Sequence, residues 1–182
     1  MMRSNLKNST MFKEYIIDLC RRHHDIHHRD DEIHFIDLST DRRNTALAHQ
    51  MRYPGVFLDR VGYTYRTTGN GLRRYANMTL DIWQHVTDTA DYDQIERVIE
   101  KCDSILNDFV MMMMTDRRSR KHKFLLGISF NGMQVQEIMN EQNALYGVRA
   151  SFLLPENQCI TDIEERFRIE GTFDPTFTKP FD

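Results

Sequence analysis

The sequence predicts an α+β fold: a mostly antiparallel sheet with one long helix packed across a face, an N-terminal helix and an extended C-terminal arm. Two stretches carry that reading. Tyr75 to Val86 (YANMTLDIWQHV) alternates apolar and polar residues, as a half-buried strand does. After a short polar turn, Asp91 to Met114 repeats apolar residues at helical spacing. At about 1.5 Å per residue such a helix is long enough to cross several strands. A third observation concerns the end of the chain, from Phe167 to Asp182, which is rich in phenylalanine, broken by two prolines and short of periodicity. A segment of that kind forms no core of its own.

Taken in order, residues 1–10 are expected to be a flexible N-terminus, 11–160 a single domain and 161–182 the arm. Ser9 or Thr10 can cap a helix running to about His28, with Phe12, Tyr15, Ile16, Leu19, Cys20 and Ile26 on its apolar face. Glu32 to Leu38 (EIHFIDL) reads as a short strand, and Ser39 to Asn44 as a turn. Thr45 to Arg52 fits a short helix or a loop, which Tyr53-Pro54-Gly55 then breaks. Val56 to Tyr65 reads as a strand in which Gly62 suits a bulge. Thr67 to Gly71 (TTGNG) is a hairpin turn, because Gly and Asn tolerate positive φ. The next strand sets Ala76, Met78, Leu80, Ile82 and Val86 on an oily face. Tyr75, Asn77, Thr79, Asp81, Trp83 and His85 lie on the other. A polar face bearing two large aromatics suits either solvent or a partner in an assembly.

Asp91 is the expected N-cap of the long helix, with Gln94 reaching back to complete a capping box. Its apolar stripe is Tyr92, Ile95, Val98, Ile99, Cys102, Ile105, Leu106, Phe109 and Met112 or Met113. Asp116 to Lys123 (DRRSRKHK) is read as a basic loop and Phe124 to Phe130 (FLLGISF) as a buried strand followed by a hairpin turn at Asn131-Gly132. Gln134 to Asn143 fits either a bulged strand or a short helix. Tyr146 to Leu154 is a strand ended by Pro155.

Composition narrows the function classes. With 40% hydrophobic and 28% charged residues, the chain can bury a core and keep a solvated surface. A net charge of −3 argues against a dedicated nucleic-acid binder, which is usually basic. No apolar run reaches the roughly 18 residues of a membrane helix, so no membrane partner is expected. The N-terminus lacks the apolar core of a signal peptide, so an intracellular product is expected. Cys20, Cys102 and Cys159 form no CxxC pair and are read as free thiols.

The most chemically suggestive cluster is His23, His24, His27 and His28 with Asp25 and Asp30. If the helix runs through it, His23 and His27 share one face and His24 and His28 another, a spacing that can hold a transition metal. The pattern lacks the general-base Glu of HExxH, and no further ligand is close in sequence. The expectation is therefore no catalytic, cofactor-binding or metal residues. The alternative is a small metal-dependent hydrolase or nuclease using the His23/His27 cluster. Gly69-Asn70-Gly71 is not followed by the Gly-Lys-Ser/Thr of a phosphate loop. Arg117, Arg118, Arg120, Lys121 and Lys123 can meet phosphates or an acidic protein surface, without the interleaved aromatics that single-strand stacking needs. Phe173, Phe177 and Phe181 recur every four residues, but Pro175 and Pro180 forbid a regular helix, so these rings seek a groove. With Tyr75, Trp83 and His85 on the polar sheet face, these are the candidate interface residues.

The segments YPGVFLDRVGYTYRTTGNGLRRYANMTLDIWQHVTD, DYDQIERVIEKCDSILNDF and FLLGISF…LYGVRASFLL resemble the tail-terminator and tail-completion (minor tail, neck) proteins of tailed bacteriophages, over about residues 11 to 155. The shared pattern is an N-terminal helix, a "P-x-V-F" strand, an "LDIW" strand with a helix behind it, and a last strand after a Tyr-Gly turn, here Tyr146-Gly147. The eight histidines and the Phe-Pro tail are not part of that pattern. The resemblance implies a non-enzymatic, ring-forming virion protein, usually hexameric, assembled in the host cytoplasm and placed in the tail-neck region. Its implied partners are its own copies, the tail tube protein and the head-tail connector or neck proteins. Genomic DNA would pass close by in the lumen.

Overall fold

The computed structural model describes residues 8–41, 50–68 and 71–156. It is a two-layer α+β domain. Helix α1 (Asn8–Arg22) leads to strand β1 (Phe35–Asp37) and one helical turn at Leu38–Asp41. A long hairpin follows, made of β2 (Gly55–Thr68) and β3 (Gly71–His85). Helix α2 (Tyr92–Arg118) then leads through two short 3-10 turns to β4 (Gln134–Asn140) and β5 (Leu145–Pro155). The strands are ordered β1-β2-β3-β5-β4, with β1 parallel to β2 and every other pair antiparallel.

The alternation in β3 decides which face the helices cover. Ala76, Met78, Leu80 and Ile82 are buried, as are Val148, Ala150, Phe152 and Leu154 on β5 and Val56 and Leu58 on β2. Onto this face α1 sets Phe12, Tyr15, Ile16, Leu19 and Cys20, and α2 sets Cys102, Ile105, Leu106, Phe109 and Met113. The Phe12 ring meets Phe152 at 5.4 Å and Phe124 at 6.2 Å, both edge-on, which ties α1 to the sheet and to the turn after α2. Tyr15 donates a buried 2.9 Å hydrogen bond to the Asp116 carboxylate. Burial, and then the Asp116 bond, hold its phenol well above the ordinary range. Burial also pushes the Cys102 thiol up to about 12 and raises Cys20, so both are inert free thiols. Cys159 lies outside the described residues.

One glycine is required by the packing of the sheet. A Cβ on Gly147 would collide with the Ile82 carbonyl oxygen of the paired strand. Tyr146 and Gly147 lie inside β5, as the strand reading of 146–154 expects, and not in the turn that the resemblance implies.

Several other boundaries differ from expectation. Helix α1 ends at Arg22 and the chain turns at His24–Ile26, so Ile26 is buried from a turn and not from a helix. The bulge falls at Val61, which lies between the Arg60–Met78 and Gly62–Asn77 pairs and has no partner of its own. Asp91 caps α2 by accepting the Gln94 amide at 3.0 Å. The reciprocal half of the box is absent: the Gln94 side chain accepts the Thr87 and Asp88 amides and clamps the incoming turn. Tyr92 is exposed, and of the two candidate methionines it is Met113 that is buried. The apolar run 124–130 is two 3-10 turns, Lys123–Gly127 and Phe130–Gly132. Phe124, Leu125 and Ile128 plug the core while Leu126 faces outward, so the run is buried at irregular spacing. No strand precedes Asn131-Gly132, so the expected hairpin is not there. Gln134–Asn140 resolves as a strand, closed by a 3-10 turn at Glu141–Asn143.

Candidate interaction surface

The β2–β3 hairpin outgrows the sheet that carries it. Strand β5 ends with Pro155 opposite Tyr75, and β1 pairs only with residues 56–58 of β2. The last four residue pairs, from Tyr65–Arg74 to Thr68–Gly71, thus stand about 13 Å beyond β5 at the usual strand rise. From 60 to 75 the hairpin contains four arginines, three tyrosines and no carboxylate. Val61, Tyr65 and Leu72 are exposed at 65%, 57% and 46%. Arg74 stacks at 3.4 Å on the Tyr63 ring, and Arg66 lies 5.9 Å from the Tyr75 ring centre. These contacts hold the guanidinium groups against rings and limit their freedom. Arg66 and Arg73 are directly opposed across the two strands, and both are exposed. Like charges in that position destabilise a ribbon on its own.

A second open surface lies at the far edge of the sheet. Among the described residues no strand pairs with the outer edge of β4. On the helix side, α2 and β4 leave an open groove of about 510 Å³. Ile99, Val135 and Val148 supply apolar lining, and Glu100, Asp103 and Glu137 supply three carboxylates. No Lys, Arg or His lines it. Helix α2 is polarised along its length. Residues 92–108 carry five carboxylates and two cations, whereas 109–118 carry two arginines and one carboxylate, Asp116, with Arg120, Lys121 and Lys123 just beyond the helix end. That order suits the helix dipole.

The residues expected at interfaces fall in different settings. Tyr75 and Trp83 are half-buried and only His85, at the end of β3, is exposed. Their face is not openly solvated: Asp81 is 3% exposed and takes a bidentate bond from Arg149, 2.8 and 2.7 Å, directly across the strand pair. The basic stretch is no loop at its start. Asp116 to Arg118 complete α2, because nothing in the sequence breaks the helix before them. Arg117 is half-buried, donates to the Ile128 carbonyl at 3.1 Å and lies over the Phe130 ring, so it braces the 3-10 turns. Lys121 sits 3.8 Å from Asp116. Arg118, Arg120 and Lys123 are exposed. Phe173, Phe177 and Phe181 lie outside the described residues.

The histidines do not share a helix. His23 accepts the Asp25 amide on Nδ1 at 3.2 Å, sets Nε2 3.4 Å from Asp108 of α2, and packs edge-on against Phe109. His24 stacks on His23 at 4.8 Å and lies 3.2 Å from the Asp25 carboxylate. His27 adopts φ 48° and is exposed. His28 accepts the His34 amide at 3.1 Å, and its pKa is lowered by burial and then by Arg21. The i, i+4 pairing of His23 with His27 and of His24 with His28 is lost because α1 stops at Arg22. Ligand atoms of His23, His24 and Asp25 come within 4.8 Å of one another, a donor set that can take a transition ion.

The hairpin and the groove were missed as sites by sequence reasoning. The absence of any acid between 60 and 75 was a legible signal for the first. The groove had none, since it joins residues over thirty positions apart. No described helix is long and apolar enough to cross a membrane. Comparison with known proteins finds no matching family model, curated protein or solved structure.

Proposed function

We propose that the chain is a structural virion protein of a tailed phage or prophage, a ring-forming tail terminator or neck component. It caps the tail tube and joins it to the head connector, acting through interfaces and not through catalysis. Its partners are further copies of itself, the tail tube protein and the connector or neck proteins, with genomic DNA close to the ring lumen. The sequence resemblance over residues 11–155 suggests this reading. The observation that supports it most is the basic, apolar hairpin standing out of a two-layer domain whose opposite sheet edge is open among the described residues. A subunit that contacts neighbours on two sides needs two such dissimilar surfaces.

The test is the native mass of the full chain at tens of micromolar, followed by addition of purified tail tube protein. A discrete ring near six subunits that stops tube growth is the expected result. A monomer that leaves tube length unaffected overturns the reading. A second reading, a small metal-dependent hydrolase or nuclease, draws on His23, His24 and Asp25, with His27 set apart. It requires stoichiometric metal retained through purification and hydrolysis that is lost in His23→Ala.

A further inference from the structure

We propose that the β2–β3 hairpin of one copy docks on the α2–β4 groove of the next copy. This rests on the ring reading above and names the two surfaces that build the ring.

The surfaces are complementary in two respects. The hairpin presents Arg66 and Arg73 on one face of the ribbon and exposed Tyr65 and Leu72 on the other. The groove presents Glu100, Asp103 and Glu137 around Ile99, Val135 and Val148, with no cation lining it. The groove carries negative charge on an apolar lining, and the projecting hairpin carries positive charge on one face and apolar side chains on the other. The opposed Arg66–Arg73 pair and the carboxylates of the groove each gain by meeting the other.

The backbone is complementary as well. Strand β4 (QVQEIMN) has no Lys or Pro to blunt its edge, and Val135 and Met139 are exposed at 51% and 61%. Among the described residues, β2 has no neighbour on its outer side from Asp59 onward. An open edge can take an added strand.

The contact cannot form within one chain. Val135 pairs with Ala150, which pairs with Leu80, and nine residues separate Leu80 from Gly71 at the hairpin tip. At the usual strand rise that is about 30 Å, along a sheet that does not fold back. The hairpin must therefore reach a different copy. A head-to-tail contact of two unlike surfaces propagates around a ring.

Nucleic acid is the rival occupant of a basic ribbon. The apolar Val61 and Leu72 favour a protein partner, because phosphates make no use of them, and the chain as a whole is acidic.

The test uses charge exchange on the full chain. The first variant is Glu100→Lys with Asp103→Lys. The second is Arg66→Glu with Arg73→Glu. All four residues are exposed, so circular dichroism and melting temperature should match wild type. If either protein melts early, Glu100→Gln with Asp103→Asn and Arg66→Gln with Arg73→Gln replace them. Each reversal alone should weaken association at least about tenfold. Mixing the two reversed proteins should restore the assembly, since each then offers what the other lacks. With the neutralised variants the expected result is weaker association and a flatter salt dependence.

Four results overturn the proposal. If wild type assembles and both variants keep the same mass, other surfaces build the ring while the ring reading stands. If the reversals dissociate the ring and the mixture stays apart, the two surfaces are not partners. If the hairpin variant assembles normally but loses binding to duplex DNA that wild type holds, the hairpin is a nucleic-acid surface. If wild type is monomeric throughout, the ring reading falls and takes this proposal with it.

Discussion

Asp81 shows how one residue can make a polar sheet face less open than its alternation suggests. Its position opposite Arg149 converts two facing side chains into a bidentate pair that covers the carboxylate. Arg149→Ala leaves that carboxylate buried without its cation. Losing one partner of a fully buried pair costs 3–5 kcal/mol, and the part-exposed guanidinium places this loss lower, at about 2 kcal/mol, readable by denaturant titration. Arg149→Lys should recover little, since a point charge cannot replace two parallel bonds. His28 supplies the pH-dependent case. Its pKa lies below the ordinary value because burial, and then Arg21 and His34, disfavour the charged ring. Its Nδ1 accepts the His34 amide, so a proton there also removes a hydrogen bond. The unfolded chain therefore binds more protons than the folded one between the lowered pKa and about 6.5, and stability falls as pH drops through that window. Melting temperature should decline on acidification from neutral pH, and more shallowly in His28→Gln. Equal slopes in the two proteins would remove His28 as a source of the effect.

Elements were legible where one periodicity ran to a clear stop. The hairpin, β5 and the capped start of α2 all follow from alternation, TTGNG, Pro155 and Asp91. Ends without a breaker were misplaced. Helix α1 stops short of His28 although no Gly or Pro marks the place. Helix α2 runs four residues past Met114 and closes with the Arg120 amide on the Arg117 carbonyl and the Lys121 amide on the Asp116 carbonyl. That geometry puts C′ in the left-handed region, where Gly is usual, and here Arg120 sits there at φ 54°. Since a side chain is strained at that φ, Arg120→Gly should stabilise the domain by about 1 kcal/mol. The rise in denaturation midpoint at unchanged m-value checks it. The 124–130 run could not be resolved from sequence, because continuous apolar residues carry no period and only the space left between α1, α2 and β5 selected 3-10 turns.

At the scale of the whole molecule, surfaces were harder to read than the core. Core positions repeat along one element, whereas the α2–β4 groove exists only after two distant elements meet. The arm offers the last prediction. Glu156 donates its amide to the Arg74 carbonyl, so the chain leaves β5 at the root of the projecting hairpin. The core is already closed at that point: Phe152 and Leu154 are buried, and the Asn8 side chain donates to the Pro155 carbonyl at 2.6 Å. Removing residues 167–182 takes away Phe173, Phe177 and Phe181 and leaves every described core side chain in the chain. The truncated chain should therefore keep its melting temperature within a few degrees. Because Glu156, the last described residue, lies at the root of the hairpin assigned to the neighbouring copy, the truncation is expected to weaken assembly. Native mass and melting temperature on one preparation separate the outcomes. A folded monomer makes the arm an intersubunit strap, a folded ring makes it dispensable for assembly, and an unfolded product makes it part of its own domain's core.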